Sequence, residues 1–126
     1  MLFELIQIRS GDYVFCTVVG GKYGDYADTA PISTFNETEG LTLVITEAKA
    51  IEHKLSYDGV FSCLTLQVNS SLAAVGLTAA VANALKDSGI SANVIAAYHH
   101  DHVFVPKEKT IEALAALNLL SGGGES

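Results

Sequence analysis

Tryptophan is absent from the 126 residues; methionine occurs once, and proline and cysteine twice each. Neither Cys16 nor Cys63 belongs to a CxxC pair. Each sits in an apolar run, the setting of a buried free thiol, although spacing alone leaves a disulfide between them open. Basic residues are also few, 7 against 14 acidic ones, for a formal net charge of −7. Such a chain repels phosphate backbones, and no basic stripe with interleaved aromatics offsets this, so nucleic acid is excluded as a partner. Long apolar runs are missing as well. The longest weakly polar stretch, Leu72–Leu85, is too short to span a bilayer and is broken by Gly76, Thr78 and Asn83. The opening MLFELIQIRS has no basic leader segment and carries Glu4, so it does not read as a signal peptide. No membrane contact and a cytoplasmic location are expected.

Catalytic signatures are lacking too. There is no G-x-S-x-G elbow. Gly20-Gly21-Lys22-Tyr23-Gly24 sets a lysine among glycines, but without phosphate-loop spacing or a helix pattern directly after it. The expectation is a protein without enzyme activity or cofactor.

What is present is pattern. Hydrophobic residues make up 49% of the chain, enough for a sizeable core. Leu2–Ile8 and Tyr13–Val19 read as strands about a Ser10-Gly11-Asp12 turn, and Gly20–Pro31 as a loop. Ile32–Phe35 is a short strand, Asn36–Gly40 a turn and Leu41–Ile45 an apolar strand. Thr46 then suits a helix N-cap, with Glu47 in the first turn of a helix reaching about Lys54 and Ala48, Ile51 and Leu55 on its apolar face.

In Phe61–Val68, Leu64, Leu66 and Val68 fall on one face, and Cys63, Thr65 and Gln67 on the other. Leu77, Ala80, Val81, Ala84 and Leu85 recur at helical spacing as an apolar stripe, with a stop at Gly89. Ala92–Tyr98 and Val103–Val105 read as strands. A last helix runs from about Lys107 to Leu117, with Ile111, Leu114, Ala115 and Leu117 inward, and Ser121–Ser126 is a flexible tail. Strand, helix, strand, strand, helix gives an α+β, ferredoxin-like antiparallel sheet with its helices on one face. A complete unit needs one more strand, which the strand-rich first half would lend. The expected organisation is therefore two interlocked halves, residues 1–58 and 59–120, followed by the tail 121–126.

Between the last two strands stands His99-His100-Asp101-His102. In an extended chain His100 and His102 point the same way and could share a divalent metal, with Asp101 orienting a ring. The same four residues equally suit a solvated hairpin tip. No spaced Cys or His pair elsewhere supplies an obvious further ligand, and His53 lies on a different helix.

These pieces resemble the ACT domain, a small regulatory ligand-binding module. The resemblance is carried by Leu64–Val68, the turn Ser70–Gly76, the helix Leu77–Ser88, Gly89-Ile90-Ser91-Ala92 and the run from Ala97 to Val105. With Gly11–Cys16 it covers most of the chain, in the manner of small bacterial proteins with two ACT-like halves. Two positions depart from the family pattern: Val75 stands where a proline is usual, and Ser91 where an asparagine that often contacts the ligand is usual. The resemblance implies binding of a small molecule, most often an amino acid, where two units meet, and hence a homodimer. It places the ligand at Ser70, Ser71, Val75, Gly76, Leu77 and Asn93, with Tyr98 and His99 on the rim. Turn chemistry is an alternative account of the serines and the glycine, as helix cap and bend. A purely structural, protein-interaction role is the third class.

Overall fold

Alternation and capping signals become, in chain order, β1 (Phe3–Ile8), β2 (Tyr13–Val18), β3 (Ser33–Glu37), β4 (Gly40–Thr46), α1 (Glu47–Glu52), β5 (Phe61–Val68), α2 (Ser71–Asp87), β6 (Asn93–Ala96), β7 (His100–Pro106) and α3 (Thr110–Gly123). Short 3-10 turns at Ala27–Thr29 and Lys107–Lys109 complete the set. The computed structural model describes residues 3–68 and 71–123, with side chains at 6–67, 76 and 78–120. The chain divides into two compact units, Gly11–Phe61 and Met1–Ser10 with Ser62–Ser126. Among the described residues, no helix is long and apolar enough to cross a membrane.

In the unit Gly11–Phe61, β4 lies between β3 and β2, antiparallel to both. Val14, Cys16, Leu41, Leu43, Ile45 and Ala50 form its core, edged by Val18, Leu55, Tyr57 and Val60. Gly40 is required by space: a methyl there would run into the Val18 carbonyl. Thr46 caps α1, its hydroxyl accepting the Lys49 N–H at 3.3 Å. The apolar face expected of α1 is wrong, since Ala50 is the buried residue and Ile51 is 63% exposed. The helix stops at Glu52, too early for Ile51 and Leu55 to share a helical stripe. Leu55 still reaches the core because Lys54 turns left-handed at φ 57°. The Leu55 N–H donates to the Ala50 carbonyl at 2.9 Å and the Lys54 N–H to that of Ile51 at 3.1 Å, the paired bonds of a Schellman cap.

In the other unit, β5 neighbours both β1 and β7, and β6 pairs with β7. The strand this half needed is therefore β1, antiparallel to β5 with Ile6 opposite Leu66 and Gln7 opposite Thr65. Leu64 and Leu66 from β5 and Val103 and Val105 from β7 bury against Val81 and Leu85 of α2 and Ala113 and Leu117 of α3. Each such side chain, fully buried, is worth about 1.5–3 kcal/mol. Antiparallel strands under two helices make the unit α+β and ferredoxin-like. Gly89, at φ 73°, ends α2 as expected. The Ile90 N–H reaches the Leu85 carbonyl and the Gly89 N–H that of Lys86, both at 2.9 Å, and Ile90 is buried in the same core as Leu85. The inward face expected of α3 is found in part: Leu117 is buried and Leu114 packs against the core, but Ile111 is 81% exposed and Ala115 exposed, and Ala113 is buried instead. Ile111–Leu120 is too uniformly apolar for periodicity to choose a face. Nor does a flexible tail begin at Ser121, because α3 continues through Gly123; residues 124–126 lie outside the described residues.

Candidate functional site

The turn expected over Ser70–Gly76 is helix from Ser71 onward. Ser70 lies outside the described residues; Ser71, Val75, Gly76 and Leu77 all belong to the first two turns of α2. The Gly76 N–H thus enters the helical hydrogen-bond ladder and cannot meet a carboxylate as a turn amide would. The helix passes through Gly76 without contact: the residue is exposed, and an added methyl would find nothing within 4 Å. The unpaired amides of α2 are those of its first turn, at 71–74, where the helix dipole also favours an anion.

Asn93 opens β6, exposed and opposite Phe104. Tyr98 and His99 sit at the other end of the same hairpin, about 15 Å away by strand rise. Their rings lie 4.8 Å apart, and Tyr98 is 95% exposed. The hairpin closes where the Ala97 N–H donates to the His100 carbonyl at 2.9 Å. The histidine knot is consequently not all tip, since β7 begins at His100 and takes in Asp101 and His102. Its polar residues alternate with strand period, His102 away from the helices and Asp101 on the side of Val103 and Val105.

Reading the residues as a tip hid a basin. About 550 Å³ in volume, it is lined by Gln7, Ile8, Arg9, Thr65, His100 and His102. Gln7 and Thr65 are cross-strand partners, and Thr65 Oγ1 lies 3.0 Å from His102 Nδ1. The His100 and His102 rings are 6.3 Å apart. Burial, then the positive charges of Arg9 and His100, hold His102 below the usual imidazole value, with Asp101 opposing weakly. Burial raises Asp101 and also the Cys63 thiol. Gln7, Arg9 and Thr65 were missed as site residues. Their signal was the alternation that sets them opposite Ile6, Leu64 and Leu66, which identifies a second face without saying what it carries.

Among the described residues, no three His, Cys, Asp or Glu side chains gather as metal ligands, so the His100–His102 pair has no third partner there. Cys16 and Cys63 are free, buried thiols.

No curated protein matches the chain. Among solved structures, a protein of unknown function from Vibrio cholerae, described as a possible transport protein, is 52% identical, with 92% of this chain and 88% of that one covered at a TM-score of 0.84. A protein from Agrobacterium tumefaciens is 20% identical, covering 92% and 87% at 0.76. The ligand-free regulatory subunit of aspartate kinase from Thermus thermophilus is 9% identical, covering 94% and 97% at 0.68. The last two are likenesses of fold. Family models described as ACT domain match residues 6–62 and again 60–118. This chain, whose first strand completes the sheet of its second half, belongs to the ACT domain family and carries two such regulatory units in succession.

Proposed function

We propose that the protein is a regulatory sensor that binds a small molecule, by class an amino acid, and does no chemistry on it. The observation that carries this reading is the match of both halves to a ligand-binding regulatory family. The start of α2 fits the part: its first-turn amides suit a carboxylate, and the open space over Gly76 lets a ligand lie against the helix. Ser70, Ser71, Val75 and Leu77 would surround it, while Asn93 and the rim pair Tyr98 and His99, at opposite ends of their hairpin, would meet one ligand only from different protomers of a dimer. The proposal includes a homodimer whose shared interface completes the site, and an output passed to a separate protein, in the cytoplasm.

A thermal-shift survey of the amino acids and divalent metals tests the reading. One amino acid should raise the midpoint, by about 2.7 kcal/mol of added stability at a hundred times its Kd. Gly76→Glu should abolish that shift while leaving the unliganded midpoint no lower, since glutamate is the better helix former. A zinc shift lost in His100→Ala and His102→Ala would instead favour a metal-binding protein, and no shift at all an interaction module. A monomeric mass by light scattering at high concentration would count against the dimer.

A further inference from the structure

The basin lined by Gln7, Arg9, Thr65, His100 and His102 is unlike the rest of this acidic chain. Among the described residues its lining is an arginine, two histidines, a threonine and a glutamine, with Ile8 as the apolar member and no carboxylate. In a protein with twice as many acidic as basic residues, that concentration of positive and donor groups is a local inversion of charge. The strands set it. Gln7 and Arg9 alternate along β1 and its extension, where the Arg9 N–H donates to the Cys63 carbonyl at 2.9 Å. Thr65 projects from β5 and the two histidines from β7, and the Thr65–His102 contact fixes one ring.

We propose that this basin binds a small ligand through an oxyanion, a carboxylate or phosphate group, at a site separate from the start of α2. Arg9 supplies a planar fork of donors and permanent charge, the geometry suited to oxyanions. Thr65 holds His102 by Nδ1, which leaves Nε2 as the atom to meet the ligand. Gln7 and His100 flank the same space. A volume of about 550 Å³ exceeds what a bare ion needs and falls in the range of small-molecule sites. A bound anion offsets the effect of the Arg9 and His100 charges on a protonated His102.

Occupancy is therefore coupled to protons. The charged and titratable groups around His102 are Arg9 beside β1, Cys63 on β5, and His100 and Asp101 on its own strand; β6 presents Ile95 opposite it. The Arg9 charge is fixed, and the buried Cys63 thiol stays neutral. Asp101 stands on the other side of the strand. A bound anion favours the protonated form of His102, which burial and the Arg9 and His100 charges otherwise disfavour, so binding takes up a proton and tightens as pH falls.

The test is calorimetric titration of the full chain with inorganic phosphate and, separately, succinate, at about pH 6 and about pH 8. Saturable binding of either is expected, and for succinate, whose own charge changes little over this range, about tenfold tighter at the lower pH for one linked proton. Phosphate alone would identify a phosphate-bearing ligand, succinate alone a carboxylate, and both a general oxyanion site. Arg9→Gln and His102→Gln should each weaken binding by about tenfold or more, as loss of a charge-assisted contact does. His100→Gln, which spares the Thr65–His102 pair, should also weaken binding, so the test stands even where His102→Gln lowers the melting point. Gly76→Glu should leave both titrations unchanged, so failure here is distinct from failure of the amino-acid reading. Binding of neither anion, or binding equal in Arg9→Gln, His100→Gln and the unaltered chain, overturns the proposal.

Discussion

Lys54 and Gly89 occupy the same left-handed position after a helix, with φ of 57° and 73°. A side chain there costs about 1–2 kcal/mol, which glycine avoids. Gly89→Ala should therefore lower stability by about 1 kcal/mol or more, and Lys54→Gly should raise it by up to about 1 kcal/mol, read as opposite shifts in the urea midpoint. Only one of these stops was legible in the sequence. Gly89 announces itself, whereas Lys54 is forced left-handed by the need to return Leu55 to the core. A third residue-level device joins the loop before β3 to α1. His53 Nε2 lies 2.9 Å from Asp28 Oδ2, and its Nδ1 lies 3.0 Å from the Lys49 carbonyl. The hydrogen bond to Asp28 raises His53, and the same bond lowers Asp28. The contribution of Asp28 is present above the ordinary carboxylate value and lost as pH falls through its lowered one. That of His53 is present below the ordinary imidazole value and lost as pH rises through its raised one. The contact is thus strongest between about pH 4 and about pH 6.5. Protection factors at Thr29 and Ala30, taken relative to intrinsic amide exchange at each pH, should be highest in that window, and His53→Gln should remove this maximum.

At the scale of elements, α2 and β7 show where pattern misleads. The family resemblance puts Gly76 at the end of a turn, yet α2 runs through it. The core contacts of Val81 and Leu85 lie farther along, and tertiary packing overrides a single weak residue. Gly76→Ala should then stabilise the helix by about 0.5–1 kcal/mol, since the added methyl is unopposed. A fall in the melting temperature would show that something on the protein does need the space. The histidine knot misled in the reverse direction. Polarity suggested a tip, but His100 and His102 are polar because their side of β7 faces the basin with Thr65, not because the chain turns there. Strand period was visible in the sequence; the identity of the neighbouring strands, and so what the second face would gather, was not.

For the whole molecule, alternation and helix order sufficed for an α+β fold with a borrowed strand, while the partner of β1 became specific only through its register with β5. Without β1, β5 loses one neighbour and Leu64 and Leu66 lose the cover of Ile6. Truncation through Arg9 should speed hydrogen exchange across 62–120 and leave the protection of β2, β3 and β4 far less changed. Equal loss in both units would mean that cooperativity extends across the chain.

Because β1 and β5 are separated by the whole of Gly11–Phe61, ribosomal synthesis presents them in an awkward order. β1 is made early and must wait, its backbone groups unmatched, while the intervening unit is translated and becomes able to close on its own local pairings. Only when β5 emerges does β1 find its register. Vectorial folding thus reverses for this strand: made before the unit Gly11–Phe61, it is placed after it, and for that interval an apolar edge is open to any other extended chain nearby.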